Sequence, residues 1–301
     1  MKRIIVVGSY NTGLTMQVER LPRSGETILG TGYSEGPGGK GSNQAVAAAR
    51  LGGRVSFVGC VGRDRFGDSA LQLWKSEGVD HSHVRRTTGN TGLGFVIVEK
   101  SGANAISVDP GANVELNAPD VEGAIDGAPE GSVLLVQLEI PVKTVNAAIR
   151  TGRKHGLTVI LNPAPPTKSN LLELRSVDIL TPNEGEFAAL SGNSGLERGT
   201  EGLCKKGAKT VVVTLGEDGA FVRTGKESYR LRPPVVRAVD TTGAGDAFNG
   251  ALAVAVAEGK GIREAVEFAN VAGALTVTRR EVIPALPRRR EVNSLMRRLR
   301  D

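Results

Sequence analysis

Short apolar, β-branched runs recur along the chain and alternate with stretches of helical periodicity. Ile4–Val7 is the first run, closed by Gly8, and Val55–Val58, Val133–Val136, Val159–Leu161, Ile179–Leu180 and Val211–Thr214 repeat the pattern. Apolar runs without polar alternation mark strands buried on both faces of a parallel sheet. Between them, Asn43–Leu51, Phe66–Glu77, Val142–Lys154, Glu184–Leu190 and Thr200–Lys206 carry apolar residues at helical spacing. Strand–helix alternation predicts an α/β fold, a doubly wound and mostly parallel sheet with helices on both faces. Ligands of such sheets lie beyond the C-terminal ends of the strands.

Two segments break this rhythm. Glu26–Glu35 and Thr91–Val108 alternate apolar with small or polar residues, in pieces such as Gly92–Val98 and Ala105–Val108, with a turn near Ser101-Gly102. They predict a small antiparallel β lid, formed from about residues 12–36 and 90–112 of a single domain spanning 1–301. A flap of this kind excludes water from a crevice or serves as a dimer edge, and the two uses are compatible.

A chain of 301 residues that is 40% hydrophobic can bury one large core, and 23% charged residues argue against wholesale disorder. Aromatics at 4% argue against a nucleic-acid surface built on base stacking. Part of the net charge of +6 lies in Arg288, Arg289, Arg290, Arg297, Arg298 and Arg300. Val292, Leu295, Met296 and Leu299 recur among them at helical spacing, so these arginines read as the wet face of a terminal amphipathic helix, not as a nucleic-acid site. A general positive field also favours anionic substrates. Cys60 and Cys204 form no Cys-x-x-Cys pair, and no run approaches the ~18 apolar residues of a membrane span. The N-terminal apolar run is too short for a signal peptide. A cytoplasmic protein with no membrane partner is expected. His81, His83 and His155 show no metal or triad spacing, and Trp74, within a helical pattern, reads as packing.

Chemistry concentrates in glycine-rich segments. Asp240-Thr-Thr-Gly-Ala-Gly-Asp246 precedes a strongly helical run. Small residues at a helix start let backbone N–H groups converge on an anion, aided by the helix dipole. A carboxylate there would repel phosphate, but it suits a general base that takes a proton from an attacking hydroxyl. Asp246 would be that base, with the amides of Gly243, Ala244 and Gly245 stabilising charge on a transferring phosphoryl group. The same segment also suits a plain N-cap. Gly36-Pro-Gly-Gly-Lys-Gly-Ser-Asn43 opens a second helix. It is not a phosphate-binding P-loop, because Ser34 and Gly41 stand where that pattern needs Gly and Ser or Thr. Lys40 and Asn43 can instead offer donors to substrate hydroxyls. Thr181-Pro-Asn-Glu-Gly-Glu186 places Asn183 and Glu186 at a helix start, a set that suits Mg²⁺ or, equally, a capping box. Thr214-Leu-Gly-Glu-Asp-Gly219 follows a Val-rich strand and would let a nucleotide lie against the backbone.

In order along the chain, Gly8-Ser-Tyr-Asn11, Pro22–Thr27, Gly38-Gly-Lys-Gly-Ser-Asn-Gln44, Gly111-Ala-Asn113, Gln137-Leu-Glu139, Asn162-Pro-Ala-Pro165, Thr181-Pro-Asn-Glu184, Thr214-Leu-Gly216 and Asp240–Asp246 resemble the ribokinase family of sugar kinases, carbohydrate kinases of the phosphofructokinase B type. The resemblance spans nearly the whole chain. It implies an ATP-dependent phosphotransferase acting on an alcohol group, with Asp246 as base and Gly243–Gly245 as anion hole. It further implies sugar contacts at Asn11, Gly39, Lys40, Asn43 and Glu139, and nucleotide contacts at Thr214, Gly216, Gly219 and Asn270. Asn183 and Glu186 match a motif tied to Mg²⁺ and phosphate, and the lid corresponds to a frequent homodimer contact. Two departures stand out. The family usually has Asp two residues after the asparagine matching Asn11, where this chain has Gly13. A monovalent cation, K⁺, is implied beside Asp240 and Thr242, but the opposite side reads Glu281-Val-Ile-Pro-Ala285 where Gly-Ala-x-Pro-Ser is usual.

The acceptor expected from this resemblance is ribose or a related pentose or polyol. A nucleoside kinase of the same family and a sugar- or nucleotide-binding regulator on a kinase scaffold are the alternatives. A dinucleotide oxidoreductase is disfavoured, because Gly8-Ser-Tyr-Asn-Thr-Gly13 lacks the middle glycine of Gly-x-Gly-x-x-Gly.

Overall fold

The computed structural model describes residues 2–225 and 227–299, so Arg300 lies outside the described residues. In chain order the first half contains β1 (Arg3–Val7), β2 (Asn11–Val18), β3 (Gly30–Gly38), α1 (Lys40–Arg50), β4 (Arg54–Gly62), α2 (Arg65–Ser76), β5 (Asp80–Thr87), β6 (Gly92–Glu99), β7 (Asn104–Asp109), α3 (Ala118–Ile125), β8 (Val133–Val136) and α4 (Val142–Lys154). The second half contains β9 (Thr158–Leu161), β10 (Ile179–Leu180), α5 (Glu184–Ser191), α6 (Leu196–Lys205), β11 (Thr210–Thr214), β12 (Ala220–Thr224), β13 (Glu227–Leu231), α7 (Ala244–Ala257), α8 (Ile262–Thr276), α9 (Val282–Ala285) and α10 (Arg289–Arg298).

Nine strands form the central sheet in the order β13-β12-β11-β10-β9-β8-β1-β4-β5. From β11 to β5 every pairing is parallel, and β12 and β13 are added antiparallel at one edge. The centre is buried on both faces. Ile4 and Val6 of β1 enter one apolar layer, and Ile5 and Val7 enter the other. Each such side chain, fully removed from water, contributes roughly 1.5–3 kcal/mol. Helices α1, α2, α7 and α8 cover the first layer, and α3, α4, α5 and α6 the second. Helix α7 is apolar almost all round because it is packed between α1 and α8. Trp74 is fully buried, stacks against Phe57 and donates to Ser42 Oγ at 3.0 Å, which makes it packing as expected.

The segments expected to form the lid build a separate four-stranded sheet, ordered β3-β2-β6-β7 and called the lid below. Its outer pairings are antiparallel, while the central pair β2–β6 runs parallel. The strand expected within Glu26–Glu35 begins later, at Gly30, because residues 19–29 form a loop in which Glu26 accepts from Arg23 N–H. The C-terminal helix forms with Val292 in the core. Arg289 departs from the expected wet face: it reaches back to Glu258 and to the carbonyl of Leu51.

Candidate active site

Two helix N-termini meet beyond the strand ends. Helix α1 starts after Gly39, whose φ of 86° and whose closeness to Tyr10 leave no room for a side chain: an added Cβ would lie 2.7 Å from Tyr10 Cα. Helix α7 starts after Gly243, also left-handed at φ 83° and pressed against Val282. Asp246 is therefore not the N-cap. It is the third residue of α7, inside its first turn. The first intrahelical bond is Ala247 N–H to Gly243 O at 2.9 Å, so the N–H groups of Gly245 and Asp246 belong to the set that no helix carbonyl can satisfy. Ala244 N–H makes a 3.3 Å turn bond to Thr241 O.

Helix α1 grips Asp246 directly. Asn43 Nδ2 donates to one carboxylate oxygen at 2.9 Å and Gln44 Nε2 to the other at 3.0 Å. Gln44 is in turn fixed by Gln137 Nε2 at 2.6 Å and by its own bond to Asn162 Oδ1 at 2.9 Å. The chain of amides continues from Asn162 to Thr181 O, from Thr181 Oγ1 to Asn249 Oδ1, and from Asn249 back to Gly245 O. The network is largely buried but not fully satisfied: Gln137 Oε1 and Asn43 Oδ1 have no partner. Burial pushes the Asp246 pKa up. The charge of Lys40 and the two amide bonds oppose this, and Glu139 adds to it.

Glu139 accepts from the Lys40 N–H at 2.9 Å and from Ser9 Oγ at 2.5 Å, so it closes the N-terminus of α1. Asn11, at the lid root, accepts from Asn113 Nδ2 at 2.9 Å. Asn183 and Glu186 do form a reciprocal capping box: Glu186 N–H donates to Asn183 Oδ1 at 2.8 Å, and Asn183 N–H to Glu186 Oε2 at 2.9 Å. Burial raises the Glu186 pKa against the Asn183 bond and the Lys40 charge, and Asp246 reinforces the rise.

Lys40, Asn183, Glu186, Thr214, Gly243, Gly245 and Asp246 line one hollow of about 210 Å³. It adjoins a cleft of about 360 Å³ that includes Asn183, Thr214, Gly216, Gly219, Ala244, Gly245, Phe248 and Asn270. Asn270 also has a structural task, donating to Leu231 O at 2.9 Å. Asn11, Gly39, Asn43 and Glu139 line neither space; Asn43 reaches the smaller hollow through its bond to Asp246, and Gly39 and Glu139 through Lys40, which follows the one and donates its N–H to the other. Asp240 and Thr242 stand in a turn of their own. Asp240 Oδ1 accepts from the N–H of Thr242 at 2.9 Å and from its hydroxyl at 2.7 Å, and Oδ2 accepts from Glu281 N–H at 3.2 Å. Burial works to raise the Asp240 pKa, but these bonds and the charge of Arg280 hold it below the ordinary range. Glu281 has a left-handed φ of 64°.

Residues 1–289 match the pfkB family carbohydrate kinase profile. The chain belongs to the pfkB family of carbohydrate kinases. Among relatives of this carbohydrate kinase, a ribokinase from Haemophilus influenzae is 37% identical over 296 residues, covering 96% of this chain and 97% of the relative. A deoxyribokinase from Salmonella typhi is 33% identical over 282 residues, covering 91% and 92%. The structure of Arabidopsis thaliana ribokinase complexed with ribose and ATP superposes with a TM-score of 0.89 at 34% identity, covering 98% of each chain.

Gln44, Gln137, Asn162 and Thr181 lie in the motifs above, but sequence reasoning missed the network they form with Asn249. One signal was present. Asn249 is a lone amide in the otherwise small and apolar run Ala247–Ala255.

Proposed function

We propose that this carbohydrate kinase transfers the γ-phosphoryl group of ATP to a hydroxyl of a pentose or related polyol, with Asp246 as the base. The observation that carries this reading is the pair of converging helix N-termini, with a buried carboxylate held by Asn43 and Gln44 at their meeting point. A hydroxyl brought to Asp246 loses its proton as it attacks. The free N–H groups at the start of α7, with Gly243, Ala244 and Gly245 forming the turn, then face the negative charge of the transferring group. Lys40 keeps Asp246 more ionisable than burial alone would allow. On the acceptor side stand Asn11, Gly39, Lys40, Asn43 and Glu139. On the nucleotide side stand Thr214, Gly216, Gly219 and Asn270, along the larger cleft.

Among the described residues no cluster of three His, Cys, Asp or Glu side chains could hold a metal alone. One carboxylate and one amide, Glu186 and Asn183, fit an Mg²⁺ ion held mainly by phosphates and water. Such an ion would supply charge neutralisation on the phosphates. The turn at Asp240 and Thr242 is tied to Glu281, which suits a K⁺ site framed by both segments.

The unit is read as one α/β domain over 1–301 with a lid from 12–36 and 90–112. Met16 and Phe95 are exposed on the lid and support a homodimer formed through it. Both cysteines are free, burial pushes the Cys60 thiol up to about 12, and among the described residues no helix is long and apolar enough to cross a membrane. These features support a cytoplasmic setting. ATP consumption measured with ribose, deoxyribose, cyclitols and nucleosides tests the activity. Turnover with none of them would defeat it.

A further inference from the structure

The hydrogen bonds that start at Asp246 close on themselves. Asp246 Oδ1 accepts from Gln44 Nε2, which spends its second hydrogen on Asn162 Oδ1. Asn162 Nδ2 donates to Thr181 O at 3.0 Å, and Thr181 Oγ1 donates to Asn249 Oδ1 at 2.6 Å. Asn249 Nδ2 donates to Gly245 O at 2.8 Å, and Gly245 is the residue before Asp246. The path is a ring that leaves Asp246 by its side chain and returns by its backbone. Every side chain in it is buried, with Asn249 only 2% exposed. The orphaned oxygens of Gln137 and Asn43 lie on branches outside the ring. Gln44 Oε1 is taken up by Gln137 Nε2, so only Nε2 of Gln44 can face Asp246 and Asn162.

Asn249 closes the ring, and packing does not explain it. Its neighbours on α7, Ala247, Phe248, Ala251 and Leu252, are apolar and buried. Within a helix Gly245 O is already the acceptor for the backbone N–H of Asn249, four residues on. The side chain therefore adds a second bond to a carbonyl that the helix alone would satisfy. That carbonyl belongs to the peptide unit whose other end is the Asp246 N–H, a group with no helix partner. The unit is planar, so holding its oxygen fixes the direction of its N–H. Bonding at the oxygen also polarises the unit and makes that N–H a stronger donor. The other end of Asn249 holds Thr181, two residues before Asn183. Thr181, Asn183, Glu186, Gly245, Asp246 and Asn249 all line the hollow of about 210 Å³.

We infer that Asn249 is a positioning residue for phosphoryl transfer: through Gly245 O it aims the Asp246 N–H at the transferring group, and through Thr181 it keeps that N–H in register with the Asp246 carboxylate. The inference rests on the kinase reading above and adds a residue to it. Its test takes Asn249→Ala, Asn249→Ser and Thr181→Val, assayed with ATP, Mg²⁺ and the acceptor that the wild type turns over fastest. Binding of ADP is measured alongside, with and without aluminium fluoride, a mimic of the transferring group. Asn249→Ala lowers kcat by about ten- to hundredfold, short of the ~10²–10³-fold cost of deleting a donor outright. KM for ATP and affinity for ADP stay within about twofold, and the extra affinity conferred by aluminium fluoride falls with kcat. Asn249→Ser recovers most of kcat, because a serine hydroxyl in a helix can donate to the carbonyl four residues back. Thr181→Val lowers kcat alone but adds little to Asn249→Ala, since each opens the same ring. Valine has nearly the shape of threonine, so Thr181→Val carries the test if Asn249→Ala fails to fold. An unchanged kcat in the variants, or a loss of kcat matched by an equal loss of ADP affinity, reduces Asn249 to packing and overturns the inference while the kinase reading stands. Absence of wild-type turnover with every sugar, polyol and nucleoside defeats the kinase reading itself.

Discussion

Asp246 sits where burial works against its charge, and this links stability to activity at one residue. Its folded pKa is raised, so the folded state holds the proton more tightly than the unfolded chain does. Stability therefore falls as pH rises from the unfolded aspartate value of about 3.9 through the folded one, and the loss persists at neutral pH. Asp246→Asn removes that cost. Asn43 can accommodate the new amide by rotating its own, since its Oδ1 has no partner to lose. We expect a loss of about 10²–10⁴-fold in turnover, with a Tm at pH 7 equal to or above that of the wild type. In calorimetry across pH the difference should vanish in acid. Full turnover in Asp246→Asn sinks the base assignment. The acid limb of kcat/KM is expected above the ordinary aspartate range. Replacing Lys40 by Met should move it higher, because Lys40 is the largest influence favouring the charged form. A limb that stays put in Lys40→Met would separate Lys40 from the base.

Helices α1 and α7 set the geometry that Asp246 depends on, and they touch at Gly250. A Cβ there would lie 2.7 Å from Ala47 Cβ and 2.8 Å from Gln44 O. Gly250→Ala must push α7 off α1 and stretch the Gln44–Asp246 bond. The expected cost is about 1–3 kcal/mol, seen as a lower Tm, together with a lower kcat although no group at the site has changed. A lower Tm with unchanged kcat would show that the crossing is structural only. At this scale the sequence was most legible where burial is simplest. Val133–Val136, Ile179–Leu180 and Val142–Lys154 form with the expected bounds, because a strand or helix facing a core on known sides has a distinct apolar period. Strand β5, Asp-His-Ser-His-Val-Arg-Arg-Thr, escaped notice because an edge strand keeps polar side chains. Helices α3 and α8 escaped because Ala and Gly blur the periodicity. That the Asp240–Asp246 segment opens a helix was legible, because its glycines and the helical run after them are neighbours in sequence. The grip on Asp246 was not, because Gln44 meets Gln137 and Asn162 only after the sheet has formed.

For the whole molecule, the lid and the α/β body differ in how they are held. Strands β1 and β8 lie between two apolar layers, whereas β7 is exposed along its length. Hydrogen exchange should therefore reach the β6–β7 amides well before those of β1 and β8. Uniform exchange across both sheets would contradict this. If the lid pairs two copies, dilution should speed lid exchange and leave the body unaffected, with sedimentation reporting the parallel change in mass.

The parallel joint between β2 and β6 determines how the lid can arise. Its two halves, β2–β3 and β6–β7, are hairpin-like, yet α1, β4, α2 and β5 separate them along the chain. Either half alone would be an isolated two-stranded ribbon, which is marginal in water. The lid is thus not a transplantable module. It comes into being only when the body has folded and brought Asn11 beside Gly92, and a segment cut out for grafting would arrive without the partner that makes it a sheet.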